Sequence, residues 1–224
     1  MSARKTIGLV LAAATLTVIP FAADAQQSNQ PASWQGPYAG LNLGGLWSQT
    51  SANIGLNGTG GSLSGAGSGF VGGAQVGYNW IVGPLLVGPE VDFQGSTMSS
   101  NINGGAGAST ISAVSKTPWF STMRVRAGYL VGSVMPYVTG GAVWGHQSLE
   151  GNDSANGGYF NVSNNFWTYT FGGGIEGRLS EQWSGKLEYL YIGSPDTPLS
   201  APATTSIDQR SIGNLLRVGL NYRF

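Results

Sequence analysis

The sequence predicts an all-β protein, an eight-stranded antiparallel up-and-down transmembrane β-barrel. Apolar residues alternate with polar or small residues in eight segments, and a spacing of two indicates strands rather than helices. The connections between these segments alternate between a few residues and roughly 20 residues, as in barrels of outer membranes. In five segments the charged residues come in pairs that share the polar face, which would line the inside of such a barrel.

The composition argues against several classes of protein. The chain has 224 residues, of which 37 are Gly, 10 are Lys or Arg, 10 are Asp or Glu and none is Cys. Charged residues make up 9%, whereas soluble domains contain roughly 25%. A hydrophobic fraction of 41% argues against a disordered chain. Because no basic cluster is present, we expect no nucleic-acid partner, and without Cys neither disulfides nor thiolate zinc sites can form.

The N-terminus has the features of a secretory signal peptide. Arg4 and Lys5 precede an apolar run over residues 7–21, and Ala23 and Ala25 supply the small residues before a cleavage site. We therefore predict a signal peptide over residues 1–25, a flexible leader over 26–35 and a barrel domain over 36–224. A membrane-anchoring helix is the disfavoured alternative, because a run of about 15 apolar residues is shorter than the roughly 20 that span a bilayer.

The first four segments each have a clear apolar face. In every case the residues between the apolar ones are polar, charged or Gly, which is the alternation of a strand with two different surfaces. The apolar faces consist of Ala39, Leu41, Leu43, Gly45 and Trp47 in the first segment, Phe70, Gly72, Ala74, Val76, Tyr78 and Trp80 in the second, Leu85, Val87, Pro89, Val91 and Phe93 in the third, and Trp119, Met123, Val125, Ala127 and Tyr129 in the fourth.

Three of the remaining four segments show the same alternation. The fifth, over residues 136–146, is weakly apolar on both faces, so its facing stays open. The other apolar faces consist of Trp167, Tyr169, Phe171 and Ile175 in the sixth segment, Trp183, Leu187, Tyr189 and Tyr191 in the seventh, and Leu216, Val218, Leu220, Tyr222 and Phe224 in the eighth.

The connections predict the orientation of the barrel. Those after the second, fourth and sixth segments are a few residues long. The other four are rich in Gly, Ser, Asn and Thr and are predicted to be long loops over 48–69, 95–116, 147–165 and 193–211. In outer-membrane barrels the short turns face the periplasm and the long loops face outward. A strand of about 10 residues, tilted by about 40°, would cross an apolar band of about 25 Å.

Ten charged residues are predicted to line the lumen. A Lys or Arg that faces lipid at mid-bilayer costs roughly 2–4 kcal/mol, so a membrane barrel must turn such residues inward. Inside the barrel they need partners, because an unpaired buried charge is expensive. The predicted lumen charge network consists of Glu90, Asp92, Arg124, Arg126, Glu176, Arg178, Lys186, Glu188, Arg217 and Arg223.

The alternation is also compatible with a soluble, lipocalin-like barrel, which would have its charges outside and its apolar residues inside. The signal peptide and the scarcity of charge favour the membrane barrel. The seven Trp residues favour it too, since they lie near segment ends or in the leader, where interfacial girdles place them. They are Trp34, Trp47, Trp80, Trp119, Trp144, Trp167 and Trp183.

Five blocks of sequence, in order along the mature chain, resemble the outer-membrane immunogenic protein family. They are WQGPYAGLNLGG at 34–45, GFVGGAQVGYNW at 69–80, PYVTGG at 136–141, KLEYLY at 186–191 and RVGLNYRF at 217–224. The members of that family are small porin-family barrels of alphaproteobacteria, related in fold to opacity proteins and to the transmembrane domain of OmpA. The resemblance implies an eight-stranded barrel in the outer membrane of a Gram-negative cell, and it implies little about loop ligands.

The last segment also resembles the terminal insertion signal of outer-membrane barrels. That signal has a Gly and two aromatic or apolar residues at fixed spacing and ends on a terminal Phe. Gly219, Tyr222 and Phe224 match it. We expect these three residues to act in assembly, and the alternative is that Phe224 is an ordinary girdle residue.

No residue pattern supports a catalytic, cofactor-binding or metal-binding site. GGGIEG at 172–177 matches a dinucleotide fingerprint, but it lies inside a strand segment with no helix after it. His146, the only histidine, cannot by itself form a multi-ligand metal site, and its neighbours Ser148 and Glu150 lack the fixed geometry of a catalytic triad. The paired carboxylates Glu90 and Asp92 are better explained as lumen charges than as a general acid and base.

We therefore expect a non-enzymatic outer-membrane barrel with a structural, membrane-integrity and surface-exposed role and a lumen plugged by charged side chains. The alternative is a narrow or oligomeric porin for small solutes, and a surface adhesin or haem-binding protein is a weaker third possibility. The expected partners are outer-membrane lipid, lipopolysaccharide and the barrel assembly machinery. Homo-oligomerisation stays open.

Overall fold

Eight antiparallel strands form one closed barrel, as the sequence predicted. The computed structural model describes residues 34–56, 59–106, 109–153, 158–193 and 205–224, so the predicted signal peptide lies outside the described residues. Each strand pairs with the next, and the last pairs with the first. The strands are β1 (Gly36–Leu56), β2 (Thr59–Val82), β3 (Leu85–Ala106), β4 (Ser109–Tyr129), β5 (Val134–Asp153), β6 (Gly158–Arg178), β7 (Trp183–Ile192) and β8 (Thr205–Arg223). Within the described residues there is no helix long and apolar enough to cross a bilayer.

The strands are longer than the sequence predicted. Seven of them have 19 to 24 residues, and much of the predicted long loops is paired strand. The β1–β2 ladder, for example, continues to the pair Leu56 and Thr59. Where neither face of a strand touches lipid or a dry core, its residues need not alternate between apolar and polar. The segments rich in Gly, Ser, Thr and Asn therefore looked like loops, although their backbones are paired. Ser100, inside one such predicted loop, is a buried residue of β3.

Two features interrupt the regular ladders. The pairing register shifts between Gly95 and Met98 on β3 and between Lys116 and Trp119 on β4. Such shifts mark β-bulges, which change the direction of a strand and are common at the rims of barrels. At the opposite end, Gly83 and Gly132 adopt a φ of 61° in the short turns after β2 and β4. This left-handed conformation favours Gly over residues with a Cβ.

The outer surface of the barrel is apolar. Leu41 is 70% exposed, Phe70 79% and Met123 67%, and large apolar side chains of the other strands project in the same way. A soluble protein rarely exposes a contiguous apolar surface of this size, so the barrel faces lipid. This excludes the lipocalin-like alternative, in which the charges would be outside.

Aromatic rings cluster at both ends of the apolar band. Towards the outer end, the ring of Trp119 lies 5.8 Å from that of Phe93 and 5.1 Å from that of Trp144. Towards the periplasmic end, the ring of Tyr222 lies 5.1 Å from that of Trp183 and 5.3 Å from that of Phe224. These are the two interfacial girdles expected of a membrane barrel.

Two features that the sequence could not assign are visible in the structure. Trp34, placed in the flexible leader by the sequence, is only 4% exposed and is therefore not part of a girdle. Strand β5 turns Met135, Tyr137 and Val143 into the lumen, where each is at most 5% exposed. Large apolar side chains on its inner face are the reason why its two faces looked alike in the sequence.

Candidate functional site

The candidate site is the charged lumen of the barrel. Nine of the ten predicted lumen charges are buried, each with at most 4% of its surface exposed, and Arg178 is half-buried. They project from β3, β4, β6, β7 and β8. Along these strands they fall into a central cluster, an Arg126–Glu176 pair and two arginines at the periplasmic end.

The central cluster consists of three basic and three acidic residues, and Arg124 lies at its centre. Its Nη1 donates to Glu188 Oε1 at 3.0 Å, and its Nη2 donates to Asp92 Oδ2 at 2.9 Å and also to Glu90 Oε1. Its Nε donates to Thr122 Oγ1 at 2.9 Å. One guanidinium therefore binds three carboxylates that belong to two strands.

Arg217 and Lys186 complete the central cluster. Arg217 Nε donates to Glu188 Oε2 at 2.7 Å, and its Nη2 donates to Asp92 Oδ2 at 2.9 Å. Lys186 Nζ lies 3.1 Å and 3.0 Å from the two carboxylate oxygens of Glu90. Three positive and three negative charges balance in this cluster, which reduces the cost of burying them.

Arg126 and Glu176 form a second ion pair nearer the periplasm. Arg126 Nη1 donates to Glu176 Oε2 at 2.7 Å, and its Nη2 donates to Asn79 Oδ1 at 2.8 Å. The guanidinium carbon lies 4.6 Å from the centre of the Tyr38 ring. Tyr38 Oη in turn donates to Glu90 Oε2 at 2.7 Å, so the tyrosine connects the pair to the central cluster.

Amide side chains extend the network across the barrel. Asn42 Nδ2 donates to Gln75 Oε1 at 3.0 Å, and Gln75 Nε2 donates to Asn221 Oδ1 at 2.5 Å. Asn221 Nδ2 donates to Glu176 Oε1 at 3.0 Å. This chain of hydrogen bonds joins β1, β2, β8 and β6.

One tryptophan and two arginines lie at the periplasmic end of the lumen. The guanidinium carbons of Arg178 and Arg223 lie 5.2 Å and 4.5 Å from the centre of a ring of Trp34. The backbone oxygen of Trp34 accepts a hydrogen bond of 3.0 Å from Asn79 Nδ2. None of the ion pairs among the described residues includes Arg178 or Arg223, so the structure does not bring these two predicted network members into contact with the acids.

An apolar layer lies on the outer side of the charges. It lies within four positions of the charged residues, with Phe120 before Arg124 on β4 and Leu190 after Glu188 on β7. Its members are Leu46, Val71, Phe120, Val143, Leu190 and Leu215, each at most 5% exposed. The layer separates the charged cluster from an open cavity of about 190 Å³, whose walls include Thr50, bonded to Ser211 at 3.0 Å, and Ser115, bonded to Gln147 at 2.6 Å.

The chemistry of the cluster is that of a structural network. Each carboxylate accepts from cationic, hydroxyl or amide donors, as in Thr122 Oγ1 to Asp92 Oδ2 at 2.8 Å and Tyr137 Oη to Glu188 Oε1 at 2.9 Å. A general base must reach a substrate proton, whereas Glu90 and Asp92 are 2% exposed and bound to cations. A dense network of this kind rigidifies its surroundings, and only Asp92 Oδ1 and Arg217 Nη1 of the central cluster lack a hydrogen-bond partner.

The weaker sequence motifs have ordinary structural roles. Residues 172–177 lie in strand β6, and a Cβ at Gly174 would come within 2.8 Å of Tyr137 Oη, so close packing against the lumen accounts for that Gly. His146 Nδ1 lies 2.9 Å from Asn165 Oδ1, and its ring stacks on Trp119. Among the described residues no group of three or more His, Cys, Asp or Glu side chains could hold a metal ion.

The three residues of the predicted assembly signal lie near the periplasmic end of β8, in the part of this strand that pairs with β1. Gly219 pairs with Asn42 and Tyr222 with Ala39. Phe224, 77% exposed to lipid, donates its backbone N–H to Pro37 O at 3.2 Å. The seam that closes the barrel therefore ends at Phe224, and a role in assembly remains a prediction.

The predicted network contained only charged residues, and the structure adds neutral ones. Thr122 lies two residues before Arg124, Ser184 lies two residues before Lys186, and Asn221 lies between Arg217 and Arg223 at even spacing. The period-two alternation places all three on the polar face of their strands, but it does not indicate that they bond to the charged groups. The buried, lumen-facing tyrosines and Trp34 carry no such signal, since aromatic residues in a membrane barrel suggest girdles.

Comparison with known proteins identifies the family. Residues 9–224 match the model of the family described as outer membrane protein beta-barrel domain. The chain belongs to this family. It is also 33% identical to the 31 kDa outer-membrane immunogenic protein of Brucella melitensis biotype 1 over 202 residues, which are 86% of this chain and 84% of that protein. This outer-membrane β-barrel protein is located, like the proteins of the family, in the cell outer membrane.

A second relative is similar over almost the whole chain. The 25 kDa outer-membrane immunogenic protein of Brucella abortus biovar 1 is 29% identical over 236 residues, covering 99% of this chain and all of that protein. The crystal structure of the outer membrane protease OmpT from Escherichia coli superimposes with a TM-score of 0.48 at 11% identity, covering 89% of this chain and 99% of that one.

Proposed function

We propose that the protein is a closed structural barrel, which supports the integrity of the outer membrane and displays its outer hairpins at the cell surface. The observation behind this proposal is the central cluster of Arg124, Lys186, Arg217, Glu90, Asp92 and Glu188, whose side chains are all at most 4% exposed. An eight-stranded barrel has an interior just wide enough to be filled by side chains. A cluster without room for water does not conduct solutes.

The apolar layer provides a second barrier on the outer side. Phe120, Val143 and Leu190 are at most 2% exposed. An ion that passes this layer would lose its hydration shell without receiving polar ligands in return, which is costly. The open cavity ends at this layer. We therefore interpret it as a vestibule that is closed at its inner end, not as a pore through the barrel.

Surface display is supported by the length of the hairpins and by the names of the relatives. The strands reach well past the aromatic rings that mark the outer girdle, as in the β1–β2 ladder that continues to Leu56 and Thr59. Relatives from Brucella are named outer-membrane immunogenic proteins. We infer the same exposed position for these hairpins, with lipopolysaccharide around them, phospholipid on the periplasmic side and the barrel assembly machinery as the partner during insertion.

We also infer that the protein is not an enzyme. The carboxylates of the lumen are held by cations, and the candidate catalytic residue His146 is engaged with Asn165 and Trp119. Neither arrangement presents a nucleophile next to a base, which acyl-transfer chemistry requires.

Single-channel recording in planar bilayers tests the closed barrel. The purified full-length mature protein should give no discrete conductance steps. The positive control is the combined variant Glu188→Ser, Arg217→Ser and Phe120→Ser, which removes side chains from both barriers and keeps the central charges balanced. This variant should conduct. Discrete steps from the unmodified protein would contradict the closed barrel and establish the narrow porin in its place.

A further inference from the structure

Five buried N–H donors at the periplasmic end of the lumen have no acceptor. They are Nε, Nη1 and Nη2 of Arg223, Nε of Arg178 and Nε1 of Trp34. Arg223 and Trp34 are each 4% exposed. A buried donor without a partner costs roughly 1–3 kcal/mol, and more when it is charged, so a group of five on three adjacent side chains calls for an acceptor.

The three side chains form one site. Both guanidinium carbons lie within 5.2 Å of the centre of a ring of Trp34, which places the two cations less than about 10 Å apart on geometric grounds. Arg178 ends β6 and Arg223 ends β8, and Trp34 precedes β1. The strands of the closed barrel therefore fix the two arginines in place.

The charge count of the lumen points to an anion. The buried network and its periplasmic end contain six basic and four acidic side chains. Three pairs balance in the central cluster, and Arg126 balances Glu176. The two remaining positive charges are Arg178 and Arg223, to which four of the five donors without an acceptor belong.

Nearby acids are engaged elsewhere or lie outside. Glu176 accepts from Arg126, Ser184 and Asn221, and no ion pair among the described residues joins it to Arg223. Glu181 lies on the exposed turn between β6 and β7, and no ion pair among the described residues joins it to Arg178. The acceptor must therefore come from outside the network.

We propose that Trp34, Arg178 and Arg223 form a binding site for a phosphate group at the periplasmic mouth of the barrel. Guanidinium groups bind phosphate oxygens through paired N–H donors. A phosphate monoester or inorganic phosphate carries about two negative charges near neutral pH, which matches the two uncompensated arginines, and its oxygens have lone pairs enough for five donors. Arg178, which is only half-buried, marks the side from which the ligand enters.

The test follows the arginine Nε–Hε resonances of the full-length mature protein in dodecyl-maltoside micelles, a detergent without phosphate. Addition of inorganic phosphate should shift the signals of Arg178 and Arg223 in a saturable manner, whereas chloride at the same ionic strength should not. Acetate should bind at least about 10-fold more weakly than phosphate, because it balances only one of the two charges. A second arm adds phosphatidic acid, a lipid whose headgroup is a phosphate monoester, in place of phosphate. Saturation in this arm would assign the site to a lipid headgroup, and saturation only in the first arm would assign it to a free phosphate.

Variants distinguish a specific phosphate-binding site from nonspecific electrostatic attraction. Arg223→Lys keeps the charge but loses the forked donors, and it should weaken phosphate binding by about 10-fold or more. Trp34→Phe keeps the ring but loses Nε1, and a smaller loss is expected. The matched control is Lys116→Gln, which removes one positive charge from an exposed pair with Glu150 and should leave binding unchanged.

Two results would overturn the proposal. If neither phosphate nor phosphatidic acid shifts the two arginine signals, water satisfies the donors and there is no anion site. If Lys116→Gln weakens binding as much as Arg223→Lys does, the effect is unspecific. Arg178→Gln is the variant least prone to misfolding, because it changes an only half-buried side chain at the end of a strand. It should still weaken phosphate binding in a folded barrel.

Discussion

Arg124 lies directly opposite Glu90 in the ladder between β3 and β4, and its guanidinium donates to that carboxylate. Both side chains are at most 2% exposed. Residues directly opposite each other on neighbouring strands have side chains close enough to form an ion pair. This pair lies inside the barrel, whose outer surface faces lipid. Glu188 and Arg217 are opposed in the same way between β7 and β8.

Removal of Arg124 should destabilise the barrel strongly. Arg124→Leu leaves three buried carboxylates with one cation fewer, and a broken buried pair costs roughly 3–5 kcal/mol. The midpoint of unfolding, followed by the gel shift of the heat-modifiable barrel, should fall accordingly. Lys116→Leu also removes one positive charge, but Lys116 is 54% exposed, so its midpoint should hardly change. Equal midpoints for the two variants would rule out the lumen network as a source of stability.

The apolar layer should contribute to stability as a core does. Leu190→Ala removes a fully buried side chain and should lower the free energy of unfolding by roughly 2–5 kcal/mol. Leu187, three residues earlier on β7, is 51% exposed to lipid, so Leu187→Ala creates no cavity and should cost clearly less. Denaturant titrations of both variants in the same bilayer would compare them, and a larger loss for Leu187→Ala would contradict the assignment of the two faces.

The topology predicts which hairpins reach the cell surface. An epitope inserted between Ala106 and Ser109, at the tip of the β3–β4 hairpin, should be labelled by antibody on intact cells. An epitope at Gly83, in the short turn between β2 and β3, should be labelled only after permeabilisation. The reverse pattern would mean that the barrel is inserted with the opposite orientation to that of its class.

Phe224 should be required for assembly beyond its contribution as a lipid-facing aromatic. Phe224→Ala and Phe70→Ala remove the same side chain from sites that are 77% and 79% exposed. If Phe224 belongs to an insertion signal, only its loss should reduce the folded fraction in isolated outer membranes. Similar yields for the two variants would leave Phe224 as a girdle residue.

The sequence could predict facing but not partners. Charges at even spacing identified the inner face of five strands, because lipid penalises each of them on the outside. Which acid meets which base depends on the register, and the register follows from turn geometry and hairpin lengths that polar, Gly-rich segments do not reveal. Strand β5 escaped assignment because Met135 and Tyr137 are large and apolar yet face inward. Trp34 escaped because its contacts come from residues that are distant in the chain, Arg178 and Arg223.

The central cluster draws its members from β3, β4, β7 and β8, and β8 pairs with both β7 and β1. Without Arg217 of β8, two cations of the cluster would face three anions. The lumen therefore reaches charge balance only when the ring of strands is closed, and an open sheet that buried the same residues would bury an uncompensated negative charge, which is costly.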